Sequence, residues 1–209
     1  MTNTSRTRHK RADGEQSRER ILDAATEIAS ERGYEGTSIA LVSKKCSLPA
    51  SSIYWHFKNK DDLLAAVIER SFSTWLTAWQ LPTEGAPHER LTALAMQIAK
   101  ALLDSPDFLR LGLMLALERR PVEPRAREMF LCTREQAADT LTEALGEFTE
   151  GLDDAQVHLL VTYAIAGADG LFLAKEIGGD SVDLLALFEL HAQTLYDTTR
   201  RMLAEKGPS

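Results

Sequence analysis

Apolar residues recur along this chain at steps of three and four, and that period predicts helices. Ile21, Leu22, Ala25, Ile28 and Ala29 form the first stripe, which Gly33 is expected to end as a C-terminal cap. Asp13 followed by Gln16 resembles a capping box and places the start of that helix there. Ile39, Ala40, Val42 and Ser43 then give a short segment one small or apolar face, with Thr37 or Ser38 as its cap. Leu48 opens a second short segment, in which Ile53 and Phe57 recur at helical intervals and Pro49 stands where a first turn begins. Helices this short are marginal in water, so both must be held by the helix upstream. Residues 38–57 therefore read as a helix-turn-helix.

Asn59 with Asp61 and Asp62 is expected to cap and open a long fourth helix. Leu64, Val67, Ile68, Ser71, Phe72, Trp75 and Trp79 carry it to about Gln80, roughly 30 Å at 1.5 Å per residue. Residues 81–87 contain Pro82, Gly85 and Pro87 and form a loop. Leu91, Leu94, Ala95, Ile98, Ala99 and Leu102 make the next stripe, and Ser105 before Pro106 marks another start. Residues 108–117 are apolar on nearly every side except Arg110, which suits a short, deeply buried helix; periodicity alone leaves a buried strand open. Beyond Pro121, a helix is expected from about Pro124 to Glu150, with Phe130, Ala137, Leu141, Leu145 and Phe148.

Gly151 stops that helix, and Asp153 with Gln156 begins another. Ala164, Ala166, Gly167, Ala168 and Gly170 give it an unusually small surface, although glycine inside a helix costs about 1 kcal/mol relative to alanine. Something must approach closely there. Gly178 and Gly179 make the next break, and a last helix from Ser181 to Lys206 carries too many apolar positions for one narrow stripe. The expected fold is all-α with about nine helices. Its divisions are a disordered basic arm at residues 1–13, a helix-turn-helix domain at 14–60 and a helical remainder at 61–209.

Charge sharpens that division. The net charge of −7 looks wrong for a nucleic-acid partner until it is split along the chain. Residues 1–60 hold 11 Lys and Arg against 7 Asp and Glu, whereas residues 61–209 hold 13 against 24. Arg6, Arg8, Lys10 and Arg11 fall in the first stretch of twelve residues with no acid beside them, as a solvating tail or a phosphate-contacting arm. An acidic remainder repels phosphate and confines any DNA contact to the basic end. There, small residues Ala50, Ser51 and Ser52 follow Pro49 at a helix tip, with Tyr54, Trp55 and His56, then Lys58 and Lys60, behind them. Such a helix suits a major groove. Ser38, Lys44, Lys45, Pro49, Ala50, Ser51, Ser52, Tyr54, Trp55, His56 and Lys60 are the candidate DNA contacts.

Other chemistries find little support. His9, His56, His88, His158 and His191 are scattered, with no paired metal-binding histidines, nucleophile elbow or phosphate-cradling glycine loop, so neither an enzyme, a metal site nor a cofactor is expected. Cys46 and Cys132 lack metal-ligand spacing and read as free thiols, Cys46 as a small core residue. The longest uncharged apolar runs are far shorter than a membrane span and the N-terminus lacks the apolar core of a signal peptide, so no membrane partner and a cytoplasmic location are expected.

The chain resembles the TetR family of bacterial transcriptional regulators along its whole length, most specifically over residues 21–64. Gly33, Tyr34, Thr37, Ile39, Ala40 and Val42 carry the match, and above all Ile53, Tyr54, Trp55, His56, Phe57, Lys60 and Leu63; Ala168, Asp169, Gly170 and Leu171 carry it more weakly. The resemblance implies a homodimer, with three N-terminal helices on operator DNA and the last two helices of each subunit in a four-helix bundle. It implies phosphate contacts from Tyr54, His56 and Lys60, base edges near Pro49, Ala50 and Ser51, and a capping Ser38 that also touches phosphate. Two positions depart from the family pattern. Ser47 replaces the usual glycine of the turn, so a residue with a Cβ must carry left-handed geometry at a cost of roughly 1 kcal/mol. Ala50 stands where lysine or arginine is common, which shifts weight from base readout to shape and phosphate contacts.

The resemblance also places an effector cavity among the middle helices, with Trp75, Trp79, Met96, Phe108, Met114, Phe130, Tyr163 and Phe172 as its lining or as plain core. Glu118, His158 and Asp169 are candidate polar groups for it, or solvated or structurally satisfied side chains. These expectations describe a dimeric repressor released from a partly palindromic double-stranded operator by a small, largely apolar effector. The alternative is a non-enzymatic all-α protein that binds DNA or a partner without effector response.

Overall fold

The computed structural model describes residues 3–78, 80–118 and 124–205, with side chains from residue 13 onward. The regular structure of these residues is helix, with no strand among them, so the strand alternative for residues 108–117 falls away. The order is α1 (Asn3–Gly36), α2 (Ile39–Cys46), α3 (Ala50–His56), α4 (Lys60–Thr77), α5 (Pro87–Asp104), α6 (Asp107–Leu117), α7 (Arg125–Leu145), α8 (Asp154–Gly178) and α9 (Leu184–Glu205), with single 3-10 turns at Gly146–Phe148 and Gly179–Ser181. The chain forms two compact units, residues 1–72 with 107–132, and residues 73–106 with 133–209.

In the first unit α1 supplies the floor. Ile21, Leu22, Ala24, Ala25, Ile28 and Ala29 are buried, and Val42, Cys46, Ile53, Phe57, Leu63, Leu64 and Ile68 complete the core. Gly33 breaks the α1 helix at φ 67°, a backbone that only glycine adopts without strain. Buried Thr37 closes the break by donating its hydroxyl to the Gly33 carbonyl at 2.8 Å. α1 starts earlier than expected, at Asn3, so residues 3–13 are helical backbone and not a disordered arm. Asp13 therefore lies inside the helix and not at its start, and its carbonyl accepts the Ser17 hydroxyl at 2.8 Å. That stretch carries no apolar stripe, so periodicity could not mark it. Arg70 of α4 reaches back to Glu19, Asp23 and Thr26 of α1 at 3.0, 2.8 and 3.1 Å.

α6 is buried through Phe108, Leu109, Leu111, Gly112 and Leu115, yet Met114 and Leu117 face outward, so the helix is less enclosed than its composition suggested. Gly112 is where α7 comes closest. A Cβ there would stand 2.0 Å from the Phe130 ring, which is itself almost fully buried.

In the second unit α5 and α8 lie against α9. Leu94, Ala99, Leu102, Leu160, Val161, Ala164, Phe172, Leu184, Phe188 and Ala192 fill the core. Asp153 and Gln156 form the expected reciprocal cap on α8, at 2.9 and 3.2 Å. α7 stops at Leu145, short of Glu150, because Gly146 opens a 3-10 turn that Thr149 closes on the Leu145 carbonyl. α9 starts at Leu184 instead of Ser181, capped by the Asp183 carboxylate at 3.1 Å from the Ala186 N–H. Lys206 and Trp79 fall outside the described residues.

The small surface of α8 has two outcomes. At Gly167 a Cβ would stand 2.3 Å from the His191 ring of α9, whose Nε2 lies 3.0 Å from the Ala164 carbonyl oxygen. At Gly170 the space is open. Along the outer side of α8 run Leu159, Tyr163, Ala166, Gly170, Leu173 and Ile177, all exposed, at alternating steps of four and three. The segment Asp154–Ser181 holds an 18-residue window of mean hydropathy 1.6, long and apolar enough to cross a membrane by length and composition, although Asp169 interrupts its uncharged run. This outer face is exposed in the single chain, while α9 packs against another side of the helix.

Gly112→Ala should lower stability by about 1–3 kcal/mol, since a methyl group there must displace a locked ring. Denaturant unfolding of that variant, and of Gly112→Ala with Phe130→Leu, measures it; the smaller partner should restore part of the loss.

Candidate nucleic-acid interface

α2 and α3 are each shaped by one buried residue set and one local lock. Ser38 caps α2 by accepting the Leu41 N–H at 3.3 Å. Ser47 ends it at φ 54°, the left-handed geometry expected of this non-glycine residue, and the Leu48 N–H returns to the Ser43 carbonyl at 3.2 Å. The Ser43 hydroxyl donates to the Leu48 carbonyl at 2.6 Å, closing the turn from both sides. Arg20 of α1 donates to the Cys46 carbonyl at 2.7 Å, satisfying an orphan acceptor at the end of α2. Pro49 is the N-cap of α3, one residue before the helix proper.

With Ile53 and Phe57 buried, helical spacing turns Ser51, Tyr54 and Trp55 outward. Tyr54 is 55% and Trp55 77% exposed, so neither ring serves the core. Between Glu35 and Asp61 there is no Asp or Glu, while Lys44, Lys45, Lys58 and Lys60 all fall inside that interval. Pro49, Lys44 and Lys45 are exposed, and Ser38, Ala50, Ser52, His56 and Lys60 half-buried. Asp13, Gly14 and Ser17 of α1 face Ser51, Ser52, Trp55 and His56 of α3 across an open groove of about 370 Å³.

Three of the candidate cations and donors have partners of their own. Lys45 pairs with Glu27. Lys60 lies 4.3 Å above the Tyr34 ring and donates to the Tyr34 carbonyl at 3.1 Å and to Glu35 at 3.5 Å. An ammonium has three donors, so the pairing leaves Lys60 one for an external anion. His56 stands edge-on to Trp55 at 4.6 Å, and its pKa is held below the usual 6.5, first by burial and then by the Arg18 guanidinium. Arg18 also covers the Phe57 ring at 5.5 Å. Arg18, Arg20 and Tyr34 were not among the expected functional positions. Their spacing in sequence carries no sign of the carbonyl and rings they reach.

The residues expected around an effector are distributed between the units. In the first, Phe108 and Phe130 are buried with ring centres 5.6 Å apart, and Phe72 lies 5.4 Å from Phe108. Met114 lies over Gly33, and Glu118 is exposed. In the second, Phe172 is buried, Trp75 and Met96 are half-buried, and Tyr163 is half-exposed beside the His191 ring. His158 is exposed. Asp169 receives two bonds from Arg134 at 2.7 and 2.5 Å, so its charge is already answered within the chain.

Residues 21–67 match the family model described as bacterial regulatory proteins, tetR family. An HTH-type transcriptional repressor of Mycobacterium tuberculosis is 32% identical over 130 residues, which cover 62% of this chain and 50% of that protein. The chain thus spans about half the length of the curated relative it matches there. A transcriptional regulator from Rhodococcus has a similar fold, with TM-score 0.71 at 20% identity over 88% of this chain and 96% of its own. The regulator FadR of Bacillus subtilis, solved in complex with stearoyl-CoA, gives TM-score 0.69 at 21% identity over 85% and 96%.

A lowered histidine pKa means that the unfolded chain takes up the proton first. The contribution of His56 is full above its unfolded value of about 6.5 and is lost as pH falls through its lower folded value. Thermal unfolding of the wild type and of His56→Gln between about pH 7.5 and about pH 5.5 should show the wild type losing ground in acid relative to the variant.

Proposed function

Since residues 21–67 match the model of the tetR family of bacterial regulatory proteins, we propose that this chain is a member of it, a sequence-specific DNA-binding transcriptional regulator acting as a repressor. The observation that carries the reading is the outer face of α3, where Tyr54 and Trp55 stand in solvent on an acid-free basic segment whose inner face is locked in the core. Tyr54, His56 and Lys60 contact phosphates, with Ser38, Lys44, Lys45 and Trp55 around them. Pro49, Ala50, Ser51 and Ser52 lie at the base edges. Short side chains at that tip let the helix sit deep in a major groove, and readout leans on shape more than on bidentate contacts. Residues 14–60 form the DNA-binding domain and 61–209 the effector and dimerisation domain.

Two copies join through α8 and α9. The stepped apolar face of α8 supports this, because its period of three and four is that of a seam between helices and Gly170 leaves room for a close crossing. A two-fold dimer presents two α3 helices to successive major grooves about 34 Å apart, so the operator is a partial palindrome. A small, largely apolar effector taken up by the middle helices changes that separation and releases one half-site. The stearoyl-CoA held by the Bacillus subtilis regulator supports an apolar effector class.

Mobility shift against the DNA upstream of its own gene should show tighter binding than scrambled DNA of equal length; equal affinities would sink the regulator reading. Tyr54→Ala with Lys60→Ala should weaken binding to all sequences alike, and loss of the lysine should flatten the salt slope by about 1.

Sedimentation at micromolar concentration should give a dimer for the wild type. Leu173→Glu should give a monomer with unchanged helicity, because that side chain is already exposed in the single chain.

A further inference from the structure

Asp61 opens α4, where an acidic side chain is expected only to complement the helix dipole. Its carboxylate has a wider task. Oδ2 accepts the Arg125 N–H at 2.6 Å and Oδ1 the Ala126 N–H at 3.1 Å, so a side chain of α4 caps the first turn of α7, 64 residues further on. The same Oδ1 accepts the Tyr34 hydroxyl at 3.1 Å. The adjacent Asp62 pairs with the Arg125 guanidinium while its other oxygen takes the Lys58 N–H at 3.1 Å. Tyr34 in turn carries Lys60, on its ring face and on its carbonyl.

We infer that Asp61 is a positioning residue for the basic face: through it the start of α7 and Tyr34 move together, and Tyr34 sets where the Lys60 ammonium stands. The inference rests on the reading of Lys60 as a phosphate anchor. The coupling has a simple origin. Two of the three bonds go to helix N-terminal N–H groups that have no partner inside their own helix, so the carboxylate cannot leave α7 without stranding both. A shift of the first turn of α7 therefore carries Asp61 with it, and the Tyr34 hydroxyl must follow or lose its acceptor.

The test joins hydrogen exchange on the full chain to DNA titration. Tyr34→Phe deletes the hydroxyl and leaves the α7 cap in place; the Arg125 and Ala126 amides should nonetheless exchange about threefold faster or more. Asp61→Asn should speed them about tenfold. It should also weaken binding to the upstream DNA several-fold in the wild-type background and have no effect in the Lys60→Ala background. Unchanged α7 exchange in Tyr34→Phe overturns the joint. An equal loss of affinity with or without Lys60 overturns the positioning role, since a merely structural defect would act in both. If Lys60→Ala itself binds DNA as well as the wild type, the anchor reading fails and the positioning of Lys60 fails with it, while the exchange result still decides whether Tyr34 and α7 are joined.

Discussion

Helices of eight and seven residues cannot hold their shape in water, and the basic end of this chain consists of two of them. Everything there depends on α1. Its apolar stripe buries Val42, Cys46, Ile53 and Phe57, and its polar side chains finish what the short helices leave open, as when Arg20 takes the last carbonyl of α2. Because the inner positions of α3 are fixed by burial, the outer ones are fixed by geometry. The exposure of Tyr54 and Trp55 is thus a consequence of Ile53 and Phe57 being inside. The core decides which face is offered to a partner.

Much of this was legible in the sequence because the signals are local. Gly33, Ser38 and the pair Asp153 and Gln156 act within a few residues of where they stand, and each marks its helix end as read. Ser47 is a sharper case. The family pattern alone asked for left-handed geometry at a residue that resists it, and the backbone adopts that geometry. The start of α1 was missed because a helix with no apolar face has no period to find. The outward Met114 and Leu117 were missed for the opposite reason, since a segment apolar on every side does not say which side is covered. The approaches of Phe130 to Gly112 and of His191 to Gly167 join separate helices. The sequence could announce only that some close neighbour existed.

The candidate site shows the same boundary. Which residues face outward followed from spacing, but what holds them did not. Lys60 read as an open cation and is half-engaged by Tyr34; Asp169, a candidate polar group that could equally be satisfied within the chain, is held by Arg134, a partner 35 residues away that spacing does not reveal. For Asp169 burial raises the pKa more than the guanidinium lowers it. Its contribution to folding is therefore fullest below its usual value of 3.8 and declines as pH rises through the raised one. At neutral pH the pair joins α7 to α8 while the burial of the carboxylate offsets what their attraction contributes.

Gly167 and Gly170 of α8 stand three residues apart and answer to different neighbours. A side chain at 167 would evict His191 and disturb the chain's own packing, whereas a Cβ at 170 meets nothing within 4 Å among the described residues. Position 167 is thus read during folding and position 170 only afterwards, by whatever comes to cover α8. Substitutions can accumulate at the second without being filtered by the first, so the partner preference of this helix can drift while its fold stays fixed.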